Sequence, residues 1–163
     1  MNFVKTIRLR PLLISLLLPL GLGGVVGIFL QLSGRFDAYD ALFKPPLAPP
    51  DWLFAVAWTI LYTLMGISAY LVTASDATKG VKEDALWQYF IQLAINLIWP
   101  FLFFFFELRL AAFLWLVVLL AAVVRMIVGF WFISKPAALL QIPYVLWLCF
   151  AAYLNGAVYL LNG

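Results

Sequence analysis

Five long apolar segments, separated by short polar ones, run along this chain of 163 residues. The polar stretch SDATKGVKED at 75–84 and two tight polar turns, at 107–109 and 134–136, divide the later segments. A helix of about 20 mainly apolar residues crosses a bilayer and satisfies its own backbone hydrogen bonds. The pattern therefore predicts an all-α integral membrane protein, a five-transmembrane-helix bundle in a single domain over 1–163. The predicted spans cover about 11–32, 50–73, 85–106, 109–133 and 136–160, with a proline-rich loop at 33–49.

Composition leaves almost no residues for a soluble domain. The chain is 67% hydrophobic and 10% charged, whereas soluble domains are about 45–50% apolar and about 25% charged. The net charge of +3 comes from scattered residues, which argues against a nucleic-acid partner. The chain has no histidine and only one cysteine, Cys149, so the sequence predicts no metal site and no intramolecular disulfide.

Lysine and arginine residues are distributed unequally between the two predicted membrane faces. Basic residues favour the cytoplasmic side of a membrane protein, and they predict a cytoplasmic N-terminus with the proline-rich loop outside. Arg125 lies within the fourth span, where it either snorkels, pairs with an acidic residue or contacts a substrate or a lipid headgroup. Lys5, Arg8, Arg10, Lys79, Lys82 and Lys135 lie on the N-terminal side, and Arg35, Lys44 and Arg109 on the other.

Polar and aromatic residues recur at helical spacing on one face of three predicted spans. Such faces turn inward in lipid, where they either bond neighbouring helices or line a cavity. Together the stripes predict an aromatic cavity for a flat apolar ligand, with structural packing as the alternative. The stripes are Trp58, Tyr62, Met65 and Ala69 in the second span, Gln88, Gln92, Asn96 and Trp99 in the third, and Tyr144, Trp147, Ala151 and Asn155 in the fifth.

Two glycines in the first span, Gly23 and Gly27, form a G-x-x-x-G motif. This motif allows close approach of another helix. Packing within the chain and contact with a second copy are both open interpretations.

Four segments carry a specific family resemblance: KPPLAPPDW, WTILYTLMGISAYLV, QLAINLIWPFLFFF and IPYVLWLCFAAYLN. In order and spacing they resemble the translocator protein family, also called the tryptophan-rich sensory protein (TspO/MBR) or peripheral benzodiazepine receptor family. The resemblance runs from about Tyr39 to Asn162. It implies a five-helix bundle, commonly a homodimer, that binds tetrapyrroles such as protoporphyrin IX or haem beneath the first loop. No cofactor is required.

By position, the family motifs imply a set of ligand-binding residues. Trp58 and Tyr62 match W-T-x-L-Y, Asn96 and Trp99 match L-N-x-x-W, Tyr144 and Trp147 match P-Y-x-x-W, and Ala151 and Asn155 match F-A-x-x-L-N. In the loop, Lys44 is expected to meet a ligand carboxylate, and the prolines around Leu47 are expected to stiffen a lid, because proline restricts the chain. The alternative is a stiff connector that has no ligand role.

Two positions depart from the family pattern. Leu47 stands where the family usually has tryptophan, and Ala38 replaces the first aromatic of a W-Y pair. Each aromatic contact is worth about 0.5–1.5 kcal/mol beyond its buried area, so weaker porphyrin binding or another ligand preference is expected. The C-terminal sterol motif needs a basic residue, and none follows Lys135. This indicates a prokaryotic protein in a bacterial cell membrane.

The resulting functional prediction is a membrane receptor or sensor for a porphyrin-like or other flat hydrophobic ligand. One alternative is a light-dependent porphyrin-degrading enzyme in which Trp58 and Trp147 take part in the photochemistry. The other alternative is a transporter, although no acidic residue lies mid-membrane to carry a coupling proton.

Overall fold

The computed structural model describes residues 8–163, without the side chain of Ala38, and these residues are mainly helical. Five helical runs in this range are long and apolar enough to cross a membrane. This confirms the all-α, five-helix membrane architecture. The α-helices are α1 (Leu9–Leu32), α2 (Arg35–Asp40), α3 (Asp51–Thr73), α4 (Lys79–Pro100), α5 (Arg109–Ile133), α6 (Lys135–Leu139) and α7 (Ile142–Asn162), and a π-helical segment (Phe101–Phe105) follows α4.

Three predicted segments have different helix boundaries in the structure. The third predicted span corresponds to α4, which begins at Lys79 and not near 85, because its polar first turns continue the helix beyond the apolar stretch. The loop predicted at 33–49 contains α2, and the fifth span is divided into α6 and α7 by a turn at 140–141. Pro143 in the first turn of α7 suits a helix start, where its missing N–H costs no internal hydrogen bond.

The spans form a ring in the order α1, α3, α6–α7, α5 and α4, and the core lies inside this ring. We call the end near 33–50 and 106–108 the loop end, and the end near 8–11, 74–78 and 134 the N-terminal end. Which end faces the cytoplasm stays a prediction. Lys5, used in the charge argument, lies outside the described residues, as does the side chain of Ala38. Arg125 is exposed on α5 and forms no ion pair with another described residue.

Helix α1 is the most peripheral span, with 6% of its apolar window buried against 39% for α3. Its backbone passes close to α3 at Gly66, where an added Cβ would lie 2.6 Å from the Ser15 carbonyl oxygen. Gly23 also faces α3, whereas nothing lies within 4 Å of a Cβ at Gly27. The G-x-x-x-G motif is therefore split: Gly23 packs within the chain, and Gly27 is open to lipid or a second copy. The homodimer stays a prediction.

The π-helical segment forms directly after Pro100, which has no N–H to donate to the preceding turn. In the widened segment the Phe106 N–H donates to the Phe101 carbonyl oxygen at 2.8 Å. Glu107 follows with φ 57°, a left-handed conformation that is uncommon outside glycine. It allows the sharp reversal into α5. The wide turn also directs Phe103 and Phe104 onto Tyr39 of α2, with ring centroids 5.8 and 5.5 Å apart.

Candidate functional site

Three buried polar side chains from three helices form a hydrogen-bonded triad in the bundle interior. The Tyr62 hydroxyl on α3 donates to the Asn96 Oδ1 on α4 at 2.9 Å. The Asn96 Nδ2 then donates to the Tyr144 hydroxyl on α7 at 2.7 Å. The amide thus uses its acceptor and one donor to join α3 to α7, which fixes the relative positions of three spans.

Trp58 covers this triad on the side of the loop end. Its ring lies 5.4 Å from the ring of Tyr62 and 6.3 Å from that of Tyr144, measured between centroids. The second contact is edge-on, at an interplanar angle of 68°. One turn above Trp58, Phe54 contacts Trp147 of α7 edge-on at 6.0 Å. An aromatic wall between α3 and α7 therefore rises from the triad toward the loop end.

Gly23 of α1 closes the triad from the outside, and sequence reasoning did not assign it to the site. A Cβ at this position would collide with the ring of Tyr62. The absence of a side chain lets the tyrosine ring occupy its place beside α1. The G-x-x-x-G motif showed that a helix or side chain approaches here, but the identity of the neighbour depends on the fold.

Three further predicted residues are buried above the triad: Trp99 is 8% exposed, Ala151 6% and Asn155 2%. Trp99 stacks on Phe103 with an interplanar angle of 17° and 5.4 Å between centroids. The Trp99 Nε1 and both amide atoms of Asn155 have no hydrogen-bond partner among the described residues. Buried polar atoms of this kind are usually paired, so these two side chains are the polar groups that a ligand would satisfy.

The two predicted lid residues lie apart from the triad. Leu47 is 65% exposed, so its side chain makes little contact with the bundle. Lys44 donates to the Asp40 Oδ1 at 2.7 Å, and its Nζ lies 4.5 Å from the centre of the Tyr39 ring. Its charge is therefore engaged within α2 and the loop.

Electrostatics keep the Lys44 ammonium charged. Burial lowers the pKa of Lys44, but the hydrogen bond and charge of Asp40, aided by Asp51 and Tyr39, outweigh burial and raise it above its usual value. The pKa of Tyr39 is also raised, chiefly by burial. If Lys44 turned toward a ligand carboxylate, it would give up the Asp40 carboxylate, so its ammonium group would have one acidic partner in either position.

The proline-rich loop is tied to the C-terminal end of α7 by one side chain. The Asn162 Oδ1 accepts from the Phe43 N–H at 3.0 Å, and its Nδ2 donates to the Phe43 carbonyl oxygen at 3.0 Å. Sequence reasoning did not identify this pair, because nothing local relates positions 119 residues apart. The loop therefore lies across the end of the bundle in a defined position.

The site as a whole is suited to binding. Within residues 8–163 no group of three metal-ligating side chains could hold a metal ion. On the loop-end side of the triad, the interior offers aromatic faces and the unpaired polar atoms of Trp99 and Asn155. This combination resembles ligand pockets, which are mainly apolar with a few placed polar groups.

Comparison with known proteins identifies relatives over most of the chain. A model of the TspO/MBR family matches residues 15–160. The chain is 38% identical over 139 residues to the tryptophan-rich protein TspO of Archaeoglobus fulgidus, covering 85% of this chain and 89% of the relative. It is 40% identical over 126 residues to protein CrtK of Rhodobacter capsulatus, covering 76% and 78%. It is 36% identical over 142 residues to the translocator protein of Bos taurus, covering 85% and 82%.

Proposed function

This chain belongs to the TspO/MBR family of membrane proteins, and we propose that it is a receptor or sensor for a flat hydrophobic ligand. The proposed ligand is a porphyrin-like tetrapyrrole, such as protoporphyrin IX or haem, bound between α3, α4 and α7. One observation carries the proposal: the unpaired Trp99 N–H and Asn155 amide lie buried in a mainly apolar interior, on the loop-end side of the triad. The printed names of the relatives include a sensory protein and translocator proteins, which are consistent with a receptor role.

The shape of the site favours a flat ligand. Trp58 and Trp147 are half-buried and belong to one aromatic wall, and large planar molecules stack well on such rings. A macrocycle in this position would rest on the Tyr62–Asn96–Tyr144 triad and place its polar edge near Trp99 and Asn155. Haem would bind without an axial histidine, since the chain has none.

Binding requires local rearrangement, and this suits a receptor. Trp58 packs against both tyrosines of the triad, and Trp147 packs against Phe54. Insertion of a ligand separates these rings and displaces the loop that Asn162 holds. The difference between the packed and opened arrangements is a signal that a partner can read.

The test is a titration of the purified full chain in detergent with protoporphyrin IX, followed by quenching of tryptophan fluorescence. We expect saturable binding that Ala151→Phe weakens at least tenfold, because the new ring fills the interior of the site. The matched control is Ala121→Phe, which adds the same ring to an exposed position on α5. Trp147→Phe serves as a milder second variant if Ala151→Phe does not fold.

Non-saturable quenching that is equal in all variants would reflect partition into micelles and would contradict the proposal. The same samples, together with a Trp58→Phe variant, are then illuminated to test the enzymatic alternative. Loss of porphyrin absorbance that needs both Trp58 and Trp147 would favour light-dependent degradation over simple sensing.

A further inference from the structure

A cavity of about 390 Å³, distinct from the aromatic site, lies at the N-terminal end, between α1, α3 and α4. It lies on the opposite side of the triad from the loop. Helix α1 contributes Arg10, Pro11, Ile14, Ser15 and Leu18, while Ala69 and Thr73 of α3 and Leu86, Tyr89 and Phe90 of α4 complete the lining. At about 1.5 Å of rise per residue, the cavity follows α1 for about 12 Å from Arg10 to Leu18.

The cavity is polar at its mouth and mainly apolar farther in, where Tyr89 adds a buried hydroxyl that has no partner among the described residues. Arg10 lies one residue after the start of α1, and Thr73 is the last residue of α3. Leu18 and Tyr89 lie deeper in the bundle, and Tyr89 is only 2% exposed. A ligand that fits this gradient has a polar head at the end of the bundle and a hydrocarbon tail directed inward.

The charge at the mouth determines the sign of that head. The Arg10 guanidinium is exposed and forms no ion pair with any described residue. A second cation is adjacent, since the Lys82 Nζ lies 3.5 Å from the Thr73 carbonyl oxygen and 3.3 Å from that of Ser75. The nearby Glu83 carboxylate is paired with Lys79 at 3.6 Å. Arg10 and Lys82 have no carboxylate partner among the described residues, and they therefore favour an anionic group.

We propose that this cavity binds one acyl chain of an anionic membrane phospholipid, whose headgroup phosphate pairs with Arg10. A cavity of 390 Å³ is near the lower limit of small-molecule sites, which occupy about 300–1,000 Å³. It therefore takes a single chain, and the second chain of the lipid stays in the bilayer. The site is separate from the aromatic site, and the proposal does not depend on porphyrin binding.

The lipid also has a structural consequence. Helix α1 buries little of its own surface, and an acyl chain between α1 and α4 supplies contacts that the protein itself does not. Phospholipid binding thus couples the membrane's anionic content to the position of α1, which touches Tyr62 through Gly23.

The test measures lipid adducts of the full chain by native mass spectrometry, during titration with palmitoyl-oleoyl phosphatidylglycerol or phosphatidylcholine. We expect preference for phosphatidylglycerol and about fivefold weaker binding of that lipid in Arg10→Gln, the effect of one basic residue at an anionic surface. Arg125→Gln is the matched control, because it removes an exposed arginine from α5, which does not line the cavity. It should leave lipid binding unchanged.

A second pair of variants tests the acyl chain. Ala69→Leu fills the cavity from α3 and should abolish the phosphatidylglycerol preference. Thr73→Phe obstructs the mouth from an exposed position and serves if Ala69→Leu does not fold. Equal losses in Arg10→Gln and Arg125→Gln would show general charge attraction and overturn the proposal. It would also be overturned if both cavity variants bound the lipid normally, or if phosphatidylcholine bound as tightly as phosphatidylglycerol.

Discussion

Asn96 and Gln92 lie one turn apart on the same face of α4 and are equally buried, at 2% and 0% exposure. Asn96 bonds two tyrosines, one on each side. Neither side-chain amide atom of Gln92 has a hydrogen-bond partner within residues 8–163. The two positions have the same chemistry and the same helical environment. They differ only in what α3 and α7 place opposite them, so a buried amide has structural value only where neighbouring helices supply its partners.

The largest effect is expected for Asn96→Leu, which breaks the hydrogen-bonded Tyr62–Asn96–Tyr144 triad. Both tyrosine hydroxyls would lose their only hydrogen-bond partner within residues 8–163, at about 1–3 kcal/mol for each buried group left unpaired. The measurement is the free energy of unfolding in mixed detergent micelles, compared with the unmodified chain. An unchanged stability would mean that the triad contributes no net energy to the bundle.

Gly23→Ala should have the next largest effect, because its Cβ would collide with the Tyr62 ring and displace it from Asn96. Overpacking of this kind costs about 1–3 kcal/mol. Gly27→Ala is the control, since its Cβ has open space and alanine favours the helix by about 1 kcal/mol. Thermal unfolding of both variants distinguishes them. Equal destabilisation would indicate that Gly27 is also closely packed, against a second copy.

Two tyrosine-to-phenylalanine changes sharpen the comparison with a minimal alteration. Tyr62→Phe removes the hydroxyl that donates to Asn96. The buried Asn96 Oδ1 is then left unpaired, which should lower stability by about 1–3 kcal/mol. Tyr89→Phe removes a hydroxyl that has no partner in the described part of the chain, so its loss should be close to zero. Both residues are buried, which makes the pair a matched test. A similar cost for both would remove the distinction between the bonded surroundings of Asn96 and the unbonded surroundings of Gln92.

The smallest effect is expected for Gln92→Leu. Replacing an unsatisfied buried amide with an apolar side chain of similar size is nearly neutral or stabilising. Equilibrium unfolding should therefore show no loss beyond about 0.5 kcal/mol, the range of substitutions that remove no specific interaction. A marked loss would reveal that Gln92 has a bonding role that its surroundings within the chain do not explain.

Much of the candidate site could be anticipated from the spacing of a few residues. The interval of four between Gln92 and Asn96 places both on one face, and lipid requires that a polar face turn inward. The same argument applies to Tyr144 and Trp147 on α7. It did not identify the roles of Gly23 and Asn162, because the G-x-x-x-G motif indicated a close approach at Gly23 without naming the neighbour, and no local pattern marks Asn162. The expected contact between Lys44 and a ligand carboxylate stays a prediction, and in the described structure Asp40 engages the charge of Lys44.

The sequence by itself determined the class of the protein, the approximate position of its five spans and the faces that turn inward. These properties follow from local hydrophobicity and helical period, which each segment expresses without its neighbours. Only the tertiary structure decided which polar groups are satisfied, which glycine accommodates a ring and where cavities remain. Those features depend on the distances between helices that are far apart in the chain. Asn96 meets Tyr144 across 48 residues, and Gln92 meets no partner among the described residues, because the ring of helices places α7 against one and not the other.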